Sequence, residues 1–289
     1  MIDPSAFGPL PLLADGDPAQ ALACREADWQ QPVEALNQFR PEAVQALHAE
    51  FAAAGARLLR TNTAQATAAA LAPHGLAERS EAINNSGSAL ARRALAQAIP
   101  AGGGFVMGTL AAPPGPGLLQ RPDWQRSTVE QIIYLSDTGV DLFLLQHCTR
   151  LADALALTGL VTRASDAPLL AALLLDAAGR TADGHDAAAA GAALADAGAA
   201  ALGLSCGPGP QALPACLDAL LECGLPVAVL AGVHGGTAAP PYPGAPALDP
   251  AAFAAWLAPL AQRGVAILGG CCGVRPAHVR ALAQALGRE

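Results

Sequence analysis

The chain alternates eight times between a short apolar run and a longer segment with helical spacing, and no interruption breaks the series. The runs are Leu10 to Ala14, residues 56–60, Gly104 to Gly108, Val140 to Gln146, Pro168 to Leu175, Ala200 to Leu204, Pro226 to Leu230, and Val265 to Gly270. Short apolar runs bounded by glycine or proline have the pattern of buried strands. Between them, Pro41 opens a helix with Val44, Leu47 and Phe51 on one face, and Gly55 closes it. A long helix is expected from about Glu81 to Ala98. Ser127 and Glu130 form a capping box for a helix carrying Val129, Ile132 and Ile133, closed by Gly139. Leu213, Cys216, Leu217 and Leu220 share a face before Gly224. Asp249-Pro250 caps a helix kinked at Pro259. Val279, Leu282 and Leu286 mark the last helix. Strand and helix repeated eight times is what a closed parallel barrel requires, with an open doubly wound sheet as the competitor. We therefore expect the α/β class, a (β/α)8 TIM-type barrel, as a single domain over residues 1–289.

Composition narrows the partners. The 289 residues carry a net charge of −8 and no basic block, which argues against nucleic acid or an anionic membrane and for small molecules. Seven cysteines is an odd number, no secretory signal opens the chain, and no apolar run is long enough to cross a bilayer. Reduced thiols and a cytoplasmic location are the expectation; the oligomeric state is open. The alanine excess suits helices packed closely on a sheet.

In a β/α barrel, functional groups lie at the C-terminal ends of strands. Asp15, Thr61, Asn62, Gln146, Cys206, Cys271 and Cys272 all fall there. Cys271 and Cys272 are adjacent, and consecutive Cα atoms are too close for an ordinary disulfide. Cys206 ends the sixth run in the same way that Cys271 ends the eighth: apolar residues, then thiol and glycine. Ends of strands six and eight are two strands apart in a closed barrel, near enough to share an ion. Three thiolates suit zinc, with a fourth position left for chemistry. Cys24 and Cys148 read as spare thiols, and Cys216 and Cys223 as packing. His147 and His234 follow strands four and seven on the same side and rank behind the thiols as ligands. His48 reads as a histidine of the helix wall.

Gly269-Gly270-Cys271-Cys272-Gly273, followed by Pro276, and Gly203-x-x-Cys206 resemble the zinc-binding signatures of the homocysteine S-methyltransferase family. The resemblance covers nearly the whole chain, including Leu13-Ala14-Asp15-Gly16, Thr61-Asn62-Thr63, Asn84 and the Thr181-x-x-Gly184 loop. It implies a β/α barrel holding Zn2+ through Cys206, Cys271 and Cys272. It further implies that a thiol, homocysteine or a relative, binds the metal as thiolate and takes a methyl group from a small onium donor. Asp15, Gly16, Thr61, Asn62 and Gln146 would then face the acceptor, and Trp29 the donor.

Two departures bear on the acceptor. The first loop reads Asp15-Gly16-Asp17-Pro18, unlike the Asp-Gly-x-Met-Gly-Thr of many relatives. Gln146 stands where relatives place a glutamate against the amino group of homocysteine, and a glutamine offers a hydrogen bond without charge. Ser205 replaces the usual asparagine. The chain ends one helix after the cysteine pair, without the C-terminal arm of betaine-using animal relatives or a cobalamin or folate module. That favours S-methylmethionine or S-adenosylmethionine over betaine as donor. The competing reading is a non-catalytic zinc-binding relative that binds or senses a thiol.

Overall fold

A computed structural model describes residues 11–100, 102–207, 212–233 and 247–288. Among these, eight parallel strands form one sheet: β1 (Leu12–Leu13), β2 (Leu58–Arg60), β3 (Phe105–Ala111), β4 (Leu142–Cys148), β5 (Leu169–Leu173), β6 (Ala201–Ser205), β7 (Val227–Ala231) and β8 (Ile267–Gly270). Their order is β1-β8-β7-β6-β5-β4-β3-β2, each paired with its sequence neighbours. A parallel bridge between Ala14 and Leu58 joins the outermost strands. With it the sheet closes, and the barrel expected from the alternation is the fold observed.

Closure sorts the side chains into two layers. Leu12, Ala14, Leu58, Met107, Leu142, Leu144, Leu170, Ala172, Ala228, Leu230 and Ile267 pack together inside the barrel. The alternate residues, among them Leu13, Leu59, Val106, Phe143, Leu145, Leu202 and Leu268, pack outward against the helices. This is the period-2 consequence of the pleat. A Cβ on Gly269 would lie 2.6 Å from the Cβ of Ala14, so β1 and β8 approach each other only because Gly269 has none.

Most helices begin and end where the spacing places them. Residues Pro41–Ala53 form one helix, Ser80–Ala98 another and Pro276–Ala285 the last. Asp249 accepts a hydrogen bond from the Ala252 amide as the N-cap of Pro250–Leu257, and a 3-10 turn, Ala258–Arg263, takes over at Pro259. Three expectations need correction. The helix assigned a start at Ser127 begins at Pro122, with proline at its first position and Asp123 in its first turn. Ser127 lies inside it and donates to the Trp124 carbonyl. The sequence reading places its first helix at Pro41, yet a helix, Pro18–Arg25, capped by Asp17, and a short one, Leu36–Phe39, precede it. Strand four runs two residues beyond Gln146, to Cys148, through a register shift. Leu10 lies outside the described residues.

Candidate metal centre

Strand β7 sets the geometry of the thiols on either side of it. The amide of Cys206, one residue past β6, donates to the Leu230 carbonyl at 2.8 Å, and the amide of Cys271, one residue past β8, donates to the Ala231 carbonyl at 2.8 Å. The Cys272 carbonyl accepts from Val233 at 3.1 Å. One strand end thus fixes all three backbones. Cys272 Sγ lies 3.1 Å from Cys206 Sγ and 3.8 Å from Cys271 Sγ.

Cys206 and Cys271, with Cα atoms 5.5 Å apart, are joined as a disulfide in this structure. Thiols brought near enough to share one ion are also near enough to oxidise. Cys272 is left free, as are Cys24, Cys148, Cys216 and Cys223. Burial pushes the Cys148 thiol up to about 12, so it stays a neutral part of the core.

A fourth donor reaches the cluster. His147 Nε2 lies 3.4 Å from Cys271 Sγ, 3.7 Å from Cys272 Sγ and 3.9 Å from Cys206 Sγ. The four potential ligand atoms all lie within 4.8 Å of one another. His147 gets there through the irregularity of β4, where pairing shifts between Leu145 and Cys148. Its φ is +56°, and that of Cys206 is +57°; these are the only non-glycine residues with positive φ among those described. Such a conformation costs on the order of 1–3 kcal/mol at each position, and both fall on this cluster. A bulge that re-aims a side chain at a strand end is a recurrent device beside functional sites. His234, the other histidine weighed from the sequence, lies outside the described residues.

A carboxylate lies against the cluster. Burial first, and then the neighbouring Asp17 carboxylate, push the Cys272 thiol up to about 12. Asp17 Oδ2 is 3.9 Å from Cys272 Sγ and 3.4 Å from His147 Nε2, while its Oδ1 caps the helix that follows. In the reduced site, three thiolates beside this carboxylate would be stable together only with positive charge among them. A soft divalent ion suits the donor set: three sulfurs and an imidazole in tetrahedral reach.

Directly beneath the sulfurs is a polar layer inside the barrel. Arg60, at an inward position of β2, is fully buried with Asp15. Its Nε donates to Asp15 Oδ1 at 2.9 Å, and its backbone amide to Oδ2 at 2.9 Å. Its Nη2 donates to the Asp15 carbonyl at 2.6 Å and also to the carbonyl of Gly270, the residue before Cys271. Its Nη1 approaches Gln146 Oε1 at 3.4 Å. Burial pushes the Asp15 carboxyl up to about 6 against the pull of Arg60. Asp15 is therefore ionised at neutral pH, and paired. Gly16 follows in a gap so narrow that a Cβ would stand 2.6 Å from the Val274 carbonyl oxygen.

Thr61 and Asn62 lie on the same side but spend their donors on the protein. Thr61 Oγ1 contacts Thr63 Oγ1 at 2.6 Å and accepts from the Thr109 amide at 2.9 Å. Asn62 Nδ2 donates to the Val33 carbonyl at 2.8 Å and to Asn37 Oδ1 at 3.1 Å. Trp29 donates to the Pro32 carbonyl, stacks under Arg40 with 5.3 Å to the ring centroid, and meets Phe39. None of its contacts reaches the sulfur cluster. The structure therefore brings together Cys206, Cys271 and Cys272, adds His147 and Asp17, and sets Asp15, Arg60 and Gln146 beneath them. Arg60 went unremarked in the sequence; a charge at an inward position of a short apolar strand was its signal.

Comparison with known proteins agrees with this geometry. The family profile described as homocysteine S-methyltransferase matches residues 12–286. The methionine synthase of Mycobacterium tuberculosis is 29% identical over 268 residues, covering 88% of this chain and 22% of that protein. The chain thus spans about a fifth of the length of the curated relatives it matches. The metallated form of the homocysteine methyltransferase MmuM from Escherichia coli superposes with a TM-score of 0.75 at 25% identity, covering 95% of this chain and 96% of that one. The oxidized form of the same enzyme superposes equally, also at a TM-score of 0.75 and 25% identity, covering 95% of each chain.

Proposed function

The chain belongs to the homocysteine S-methyltransferase family, and on that premise we propose that it transfers a methyl group from a small onium donor to the thiol of homocysteine or a close relative. The observation that carries this reading is the convergence of three thiols and an imidazole at the C-terminal mouth of the barrel. We assign Cys206, Cys271 and Cys272 as the protein's zinc ligands once the disulfide is reduced. A zinc ion held there supplies a Lewis acid that lets a thiol with an ordinary pKa near 8.5 react as thiolate at neutral pH.

The remaining work falls to the chain's own residues. Attack on a methyl carbon proceeds in line with the leaving group, so positioning and exclusion of water matter more than proton transfer. A sulfonium or quaternary ammonium leaves as a neutral thioether or amine, and no general acid is needed. We assign Asp15, Gly16 and Gln146 to the acceptor side, where Arg60 ties Asp15 and Gln146 to Gly270 and so to the cysteine loop. Thr61 and Asn62 serve this wall by fixing its backbone. Trp29 is assigned to the donor side. The proposed donor is a small onium compound: S-methylmethionine, S-adenosylmethionine or betaine.

The test is to reduce the protein, load it with zinc and incubate homocysteine with each donor, reading methionine by mass spectrometry. Zinc at one equivalent with methionine from at least one donor supports the assignment. Zinc without methylated product from any donor or thiol favours a thiol-binding relative, and absence of zinc removes the reading.

A further inference from the structure

The three thiols leave one tetrahedral position, and one protein atom is already aimed at it. His147 Nε2 is within 3.4–3.9 Å of all three sulfurs. Its backbone is held in the left-handed region at the irregular end of β4. Neither feature is needed to carry the strand, since pairing resumes at Cys148 with Leu173. Besides the three sulfurs, the ring's partner among the described residues is Asp17 Oδ2, 3.4 Å from the same nitrogen. The ring is also not enclosed: His147 keeps a side-chain exposure of 32%, against 3% for Asp17.

We propose that His147 is a fourth, displaceable ligand, so that the resting metal is closed by three thiolates and one imidazole, and the substrate thiol enters by replacing Nε2. The inference rests on the zinc reading above. In the exchange, the metal–nitrogen bond breaks and a metal–sulfur bond forms; the thiol proton leaves to solvent, and neutral imidazole swings into the open mouth. Zinc tolerates such exchange because it has no electronic preference among tetrahedral ligand sets. That exposure gives the ring somewhere to go. A closed resting shell would keep water and small anions off the metal, and would tax the affinity of any thiol by the cost of expelling the ring. His147 thereby becomes a determinant of which thiols bind: weak metal ligands fail to displace it.

The experiment uses the full chain, reduced and loaded with one equivalent of zinc without oxygen, and reads zinc X-ray absorption. The wild type should show three sulfurs and one nitrogen with the outer-shell scattering of an imidazole ring. Saturating homocysteine, or 2-mercaptoethanol at high concentration, should convert this to four sulfurs with the ring signal lost. His147→Ala should lack the ring signal from the start, hold zinc about 10-fold or more less tightly, and bind 2-mercaptoethanol more tightly than the wild type. Matching far-ultraviolet circular dichroism and melting would show that the variant is folded. A wild-type spectrum without imidazole, identical to that of His147→Ala, overturns the proposal and leaves the zinc reading standing. Imidazole retained in the presence of both thiols overturns its displaceable character. Zinc absent from the wild type altogether overturns the zinc reading itself, and this proposal with it.

Discussion

The sulfur rim and the polar layer beneath it are neighbours in sequence as well as in space: His147 follows Gln146, and Cys271 follows Gly270. They are built in opposite ways. In the polar layer, bonding is closed. Arg60 engages Asp15 through three of its nitrogens and ties it to Gly270 and Gln146. On the rim, bonding is open and the backbone is strained. The sulfurs and the imidazole contact mainly one another, and two left-handed residues hold them. A closed network with relaxed backbone is what stability demands of buried polar groups. An open, strained cluster must be held by the surrounding fold and has a use for its unspent bonds. On the function proposed above, the difference separates the part of the mouth that would hold the metal from the part that fixes the surrounding backbone.

The largest effect expected is on the rim. Cys272→Ser should lose zinc by more than the roughly 10–100-fold typical of changes just outside a metal's ligands, while unfolding in urea moves little. Equilibrium dialysis against a zinc indicator, beside a denaturation curve, measures both. A variant that held zinc normally, or unfolded outright, would break the division between the two regions. The polar layer predicts the reverse. Arg60→Met leaves the Asp15 carboxylate buried without its partner, and should cost about 3–5 kcal/mol of stability. Adding Asp15→Leu to it should recover much of the loss, because a buried pair exchanged for apolar groups is often neutral. Urea denaturation of the two single variants and the double variant closes that cycle. If the double variant were no better than Arg60→Met alone, the pair would be serving the site beyond its mutual charge.

How much of this was legible in the sequence divides along the same line. Strands announced themselves because an apolar run between glycines has few other readings, and Cys206, Cys271 and Cys272 could be placed at the mouth because strand ends are functional in barrels. His147 was underrated for a physical reason. Strand four was read as ending at Gln146, and the period-2 rule cannot say where a side chain points once the register shifts. Arg60 was passed over because its partner Asp15 is 45 residues away in the chain. The Pro18–Arg25 helix was missed although Asp17-Pro18 is a sound N-terminal signal, because its residues show no apolar face. Ser127 misled in the other direction: serine with glutamate three residues on is a start signal only where the turn before it is not already helical.

Open bonding alone does not make a site, and His48 tests that. It is fully buried in the helix Pro41–Ala53, and neither ring nitrogen has a hydrogen-bond partner among the described residues. Unlike His147, it has no thiol beside it and no strained backbone. Burial holds its pKa down to about 4, against an ordinary 6.5. Between those values the unfolded chain takes up the proton and the folded one does not, so stability is full above pH 6.5 and falls as pH drops toward 4. The shift corresponds to about 3 kcal/mol. Asp15, with its raised pKa, contributes with opposite sign over pH 6 to 3.8, so the useful quantity is variant minus wild type. His48→Leu should lack this part of the slope, so that the difference grows as pH falls from 6.5 toward 4, and should leave zinc binding unchanged. A slope as steep as the wild type's would mean that His48 has an unseen partner.

The smallest effect sits on the boundary. Asp17 belongs to both regions: Oδ1 accepts from the Ala19 amide at 3.0 Å as the cap of the Pro18–Arg25 helix, and Oδ2 faces His147 and Cys272. Asparagine caps a helix about as well as aspartate, whereas alanine costs about 1 kcal/mol. Asp17→Asn should therefore keep the melting temperature and lose only the negative charge beside the metal, weakening zinc by about 10-fold or somewhat more. Asp17→Ala should show the same loss in zinc affinity with the cap's stability removed as well. Equal zinc affinity in Asp17→Asn and the wild type would assign Asp17 wholly to the scaffold, and would move the boundary between the two regions outward to the four proposed ligand residues alone.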